Sequence, residues 1–367
     1  MNKRLNWMRM LILCICIGLA VCFLHTDVKA TGTDGGQTEY TITRVKKKIQ
    51  MLRGETRMIS TIIPPDSTFE SSNAKIVSVA NNGQAIANKA GTVTITHTTG
   101  TEKIIYTVKV NDEVDLIVFA GQSNMCGSGG NKAQAPTPEY GTAYEYDITT
   151  KSKKCIRMKE PFGEGTNRSK GVEDNKTYST SGTLVSAFCI NYYKQTKTPV
   201  VAVSSACGGS STNTWLNRGL VKETQKRLKL AKKYLKKNKI KIRHIYMVWY
   251  QGESDAQQAV SAKTYMSRMK KIYRKMKKTG VEKVFMIRIG YDAMGPRATY
   301  STIMSAQKKL CSQDKNFILV SKKASGFMKS YRRYYSDNIH INQKGLNKIG
   351  YEAGKAAGKY AKKHSKK

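Results

Sequence analysis

The chain has 367 residues, with 64 Lys and Arg against 25 Asp and Glu and a formal net charge of +39. Such a length suits two domains and a leader. The charge favours polyanion partners without defining a fold, and the basic residues lie along helical stretches with no basic-aromatic motif, which excludes a readable nucleic-acid module.

Residues 1–30 order Lys3, Arg4 and Arg9, then "MLILCICIGLAVCFL", then "VKA", the arrangement of a secretory signal peptide. About fifteen apolar residues are short for a membrane span, although an uncleaved anchor would use the same segment. A lipoprotein site at Cys22 is disfavoured because Val21 is not small. These thirty residues carry four basic and one acidic residue, so the remainder keeps a charge of +36. Cys126, Cys155, Cys189, Cys207 and Cys311 remain beyond the leader. Five is odd and no pair has CxxC spacing, so free thiols are expected and neither a disulfide framework nor a zinc site is readable. The expected location is outside a bacterial cell, free or surface-associated, where an anionic cell-wall polymer is the partner that the charge admits.

Residues 31–37, "TGTDGGQ", read as a linker. From 38 to 112, short alternating stretches are broken by Asn82-Gly83 and Gly91, a pattern that predicts a small all-β sandwich. The order "SSNAKIVSV", "NGQAIANKAGTVTIT", "YTVKV" resembles the bacterial immunoglobulin-like domain, group 2, which implies a spacer or adhesion module.

From Val114 onward the pattern changes. "DLIVFAG", "PVVAVSSA", "IRHIYMVWY", "KVFMIRIG" and "NFILVSK" are strand-like, and helical spacing covers 183–194, 218–237, 262–278 and 300–311. Alternating elements of these lengths predict an α/β domain with a mainly parallel sheet over 113–367. Sites in such sheets lie beyond the carboxyl ends of the strands. There the sequence places Gly121-Gln122-Ser123-Asn124, Cys207-Gly208-Gly209-Ser210 and Gln251-Gly252-Glu253-Ser254-Asp255, with Asp337 and His340 before the last helix.

Ser123 alone is an ordinary turn residue; as a nucleophile it needs a base held by a third group. His25 lies in the leader, His97 in the sandwich, His364 in the Lys-rich tail and His244 at the start of its strand, which leaves His340, with Asp337 as the nearest acid. An acyl-transfer site also needs oxyanion donors. Gly208-Gly209 lets backbone N–H groups approach and Gln251 carries a side-chain N–H, although a plain tight turn and a strand cap account for them equally. Trp215 and Trp249 flank these clusters, as pocket lining or as core.

Together, GQSN, the Gly-Gly turn, "WYQGESD" and "DNIHINQKG" resemble the SGNH hydrolase superfamily, in its sialate O-acetylesterase-like and carbohydrate esterase family 6 branch, over roughly 114–362. The resemblance implies a three-layer, flavodoxin-like fold and a secreted carbohydrate O-acetylesterase. Ser123 is then the nucleophile, His340 the base and acid, and Asp337 its partner. The Ser123 N–H, Gly208 or Gly209 (Gly209 favoured) and Gln251 form the oxyanion hole. Asn124, Trp215 and Glu253 line the pocket or support its loops, Asp255 braces the third loop, and no metal or cofactor is required. A glycosidase pair from Glu253 and Asp255 is disfavoured because two residues on an irregular loop fix no carboxyl separation. The same residues also admit a noncatalytic wall-binding protein, or an esterase for peptidoglycan or lipid acyl groups. The stretch 131–181 is long enough to shape the pocket.

Overall fold

The computed structural model describes residues 42–100, 102–172 and 177–365. The leader, the linker and the first residues of the sandwich lie outside them. No helix of the described residues is long and apolar enough to cross a membrane.

The N-terminal part is all β. Strands β1 (Ile42–Leu52), β3 (Thr68–Ser71), β6 (Gly91–Thr99) and β7 (Glu102–Asn111) form one sheet in the order β1-β7-β6-β3, and β2 (Thr56–Met58), β4 (Val77–Val79) and β5 (Gln84–Ala87) form a second, β2-β5-β4. Alternation along β6 turns Val93, Ile95 and His97 inward, and with Met51, Phe69, Val77, Tyr106 and Val108 the apolar residues among them make one small core. Strand β1 runs parallel to β7, and β6 and β7 are nine and ten residues long, longer than the turn spacing predicts.

Only Asp112 separates β7 from β8 (Glu113–Gly121), the central strand of a seven-stranded sheet. The sheet adds β9 (Ala143–Tyr146), β10 (Cys155–Arg157), β11 (Val200–Ala206), β12 (Lys241–Tyr250), β13 (Lys283–Ile287) and β14 (Phe317–Ser321), in the order β10-β9-β11-β8-β12-β13-β14. All pairs are parallel except β10 with β9. Every residue of β11 is buried, as are the last eight of β8, so helices must cover both faces. Helix Gln343–Lys363 packs against Val185–Thr196, while Ala262–Lys277 touches both Leu220–Lys237 and Arg297–Gln313. The α/β domain with a mostly parallel sheet is the one expected. Helix boundaries differ from the predicted ones by at most three residues.

Register decides where the loops fall. Gly121 of β8 pairs with Ala206 of β11 on one side and with Tyr250 of β12 on the other. After β8 the chain builds β9, β10 and β11 on one side and then crosses to β12 on the other, so the sheet's crevice opens above the ends of β11, β8 and β12. Residue 121 must be glycine: its φ is +155°, and a Cβ there would meet the Tyr250 carbonyl oxygen at 2.0 Å.

Candidate active site

The segment Ser123–Cys126 turns out of β8 as one buried helical turn. Its polar neighbours lock it to the other loops. The Gln122 side-chain oxygen accepts the Ser254 N–H at 3.1 Å and one Gln251 amide N–H at 3.2 Å. Asn124 donates to Glu253 Oε1 at 2.8 Å and to the Ile339 carbonyl at 3.2 Å, and its own oxygen accepts the Ile341 N–H at 2.9 Å. One asparagine beside Ser123 therefore grips the chain on both sides of His340.

His340 Nδ1 lies 2.7 Å from Asp337 Oδ2. Asp337 Oδ1 accepts the Ile339 and His340 amides at 2.9 and 2.7 Å, so both carboxylate oxygens are engaged within the loop. Partial burial pushes the Asp337 carboxyl up, but the hydrogen bonds from the His340 ring and from these amides outweigh it and hold the carboxyl below its ordinary range. An ionised partner fixes the proton on Nδ1 and leaves Nε2 as the acceptor. Among the described residues Nε2 makes no hydrogen bond to the Ser123 hydroxyl; such contacts commonly close only with substrate bound. The other described histidines are engaged elsewhere: His97 with Ser67 and Thr99, His244 with Glu282, and His364 with the Tyr360 carbonyl.

The second loop separates its two glycines. Gly208 donates its N–H to the Arg168 carbonyl at 2.7 Å and so has none free. Gly209 sits at φ +62° with no atom within 4 Å of a Cβ position, and no acceptor on its N–H occurs among the described residues. Trp215 belongs beneath this turn: its indole donates to Ser210 Oγ at 2.9 Å, and its ring meets Trp249 edge-on at 4.8 Å. Both tryptophans are buried core and support the loop without lining a pocket.

Gln251 is fully buried, and its two amide protons face three acceptors: Asp255 Oδ2 at 2.6 Å, the Ser210 carbonyl at 3.1 Å and Gln122 Oε1 at 3.2 Å. As an oxyanion donor it would have to release one of them. Asp255 in turn accepts the Thr212 N–H at 2.8 Å and the Thr212 hydroxyl. Burial raises the carboxyls of both Glu253 and Asp255. Glu253 is held by Asn124 and Asp255 by Thr212 and Gln251, so both brace loops; the glycosidase pair gains nothing from this geometry. Cys126 and Cys207 are buried and their thiols are pushed up by desolvation, which removes them as nucleophiles at neutral pH.

The stretch 131–181 divides. Its first half supplies β9 and the edge strand β10. Its second half reaches the site, where Asn167 Oδ1 accepts the Ala206 N–H at 2.9 Å and Ser179 donates to the Cys126 carbonyl at 2.7 Å. Sequence reasoning passed over Gln122, Arg168 and Thr212 as loop supports. Gln122 carried a signal, being a polar side chain inside an otherwise buried motif; the other two carried none.

The sheet is a mainly parallel α/β fold whose polar loops gather beyond the carboxyl ends of its central strands. The chain belongs to the family described as carbohydrate esterase, sialic acid-specific acetylesterase, whose model matches residues 113–359. No curated protein matches it. Solved structures similar to it include a protein from Arabidopsis thaliana, at 19% identity over 67% of this chain and 97% of that one, with a TM-score of 0.48. A carbohydrate acetylesterase from Xanthomonas citri matches at 13% identity over 84% and 72%, TM-score 0.42. An acetylxylan esterase from Geobacillus stearothermophilus matches at 12% over 65% and 91%, TM-score 0.37.

Proposed function

We propose that the chain is an exported carbohydrate O-acetylesterase that works through an acetyl-enzyme on Ser123. The observation that carries this reading is the His340–Asp337 pair held by Asn124, the residue next to Ser123. Ser123 Oγ attacks the ester carbonyl while His340 Nε2 takes its proton. The negative charge that develops on the carbonyl oxygen is met by the Ser123 and Gly209 N–H groups, a kind of contact worth about 2.7–4 kcal/mol each in the transition state. The sugar alcohol leaves with the proton from His340. Water then attacks the acetyl group, with His340 as base, and regenerates Ser123. Gln251 contributes by holding the Gln122 and Ser210 sides of the hole at a fixed separation, in place of the direct contact expected from the sequence.

Export rests on the charge and apolar order of residues 1–30, and an immunoglobulin-like assignment for the N-terminal sheets on their sequence order. The test is hydrolysis of 4-nitrophenyl acetate, then acetate release from a panel of acetylated glycans, by the protein and its Ser123→Ala variant. Loss of activity in the variant is expected. Equal activity in both, or none in either, would overturn the reading.

A further inference from the structure

The all-β part and the α/β part meet along a hydrogen-bonded seam. Tyr144 donates to Glu55 Oε2 at 2.7 Å and Tyr193 to Gln50 Oε1 at 2.8 Å. Within the seam lies a cavity of about 350 Å³ lined by Arg53, Glu55, Tyr140, Lys154, Arg157 and Tyr234, among others. It is remote from Ser123. Tyr144 pairs with Val201 of β11, five residues before the catalytic end of the strand at Ala206, roughly 16 Å at about 3.3 Å per residue.

The lining is chemically uneven. Arg53, Lys154 and Arg157 make no ion pair among the described residues. The Tyr140 ring is already taken up by cations, with the Arg57 and Arg157 guanidinium carbons 3.6 and 4.8 Å from its centroid. Glu55 is the one acid in the lining, and its Oε1 is buried without a hydrogen-bond partner. Three unpaired cations call for an anion. The half-buried ring of Tyr234 offers apolar surface for a sugar. The volume falls at the small end of ligand pockets, roughly 300–1,000 Å³.

We propose that this seam is a second, noncatalytic site for a saccharide unit bearing a carboxylate or phosphate, with the anion against Arg157, Lys154 and Arg53 and the sugar ring against Tyr234. Such a site holds an acidic polymer at the end of the sheet away from the crevice and gives the N-terminal sheets a part in substrate capture. It does not rest on the esterase reading, since occupancy is measured without turnover.

The test is calorimetric titration of the protein with trigalacturonate, glucose 6-phosphate and uncharged xylotriose, repeated with the Lys154→Ala/Arg157→Ala double variant. Both substituted side chains are exposed, so folding is retained, and hydrolysis of 4-nitrophenyl acetate should be unchanged. The expected result is binding of at least one anionic probe, xylotriose at least ten-fold weaker, and a loss of ten-fold or more in the double variant. Trigalacturonate alone would assign the anion to a carboxylate, and glucose 6-phosphate alone to a phosphate. The proposal fails if neither anion binds, if xylotriose binds as tightly, or if the double variant keeps full affinity.

Discussion

Asn124 Oδ1 accepts the Ile341 N–H at 2.9 Å, which ties the residue after Ser123 to the residue after His340 across 217 positions of sequence. Its amide also holds the Ile339 carbonyl and Glu253. Asn124→Ala removes all three bonds and frees the histidine loop to drift. A misplacement of about 1 Å can cost 10²-fold, so kcat for 4-nitrophenyl acetate should fall by about that factor with KM little changed. A change confined to KM would show that Asn124 meets substrate instead.

Asp337 stays ionised well into the acid range because its hydrogen bonds hold its carboxyl below the ordinary value. The carboxylate's contribution to the folded loop is therefore complete above the unfolded value of about 3.9 and is lost only as pH falls through the lower folded value. The acid limb of the kcat/KM profile should therefore not belong to Asp337. Asp337→Asn should lower kcat by about 10²–10³, less than the roughly 10⁴ seen for a buried triad aspartate, since the Asp337 side chain is 54% exposed. A pH–rate profile for both proteins checks this.

Removing the Gln251 side chain takes one donor from Asp255, which keeps Thr212, and takes the Gln251 donor from the Ser210 carbonyl. Gln251→Ala should lower thermal stability and kcat together, and Asp255→Asn should reproduce part of the stability loss. A variant with unchanged melting temperature and a kcat lower by 10² or more would return Gln251 to direct contact with the oxyanion.

Buried thiols give a chemical signature. Desolvation pushes Cys126 and Cys207 up, so iodoacetamide at pH 8 should leave both unmodified and activity intact, while a phosphonate ester should inactivate the protein by modifying Ser123. Peptide mass spectrometry of both reactions reads the result.

Glu145 on β9 is buried, with Oε1 accepting the Gly163 N–H at 3.0 Å, and burial raises its carboxyl to about 8. A raised folded value means that the native state binds the proton more tightly. Stability should therefore fall as pH rises from the unfolded value of about 4.3 toward 8, by an amount on the order of a few kcal/mol. Glu145→Gln keeps an acceptor for Gly163 and removes the titration, so urea unfolding should show it more stable than the unsubstituted protein at pH 8.5 and similar at pH 4.5.

Much of this molecule was legible in one dimension. The apolar runs of β8, β11 and β12 record strands buried on both faces, and the loops after them carry GQSN, GG and QGE because polar residues cluster where a buried strand meets solvent. Elimination among five histidines left His340, and the structure places its ring against Asp337. What the tertiary structure alone decided is which of these groups are free. Gly208 is bound to Arg168 and Gln251 to three acceptors, while Gly209 is not engaged among the described residues. The halves of 131–181 go to opposite ends of β11, and the N-terminal sheets dock against the α/β part instead of trailing from it. Periodicity reports whether a segment is buried. It carries no term for which donor, on another loop, has already found its acceptor.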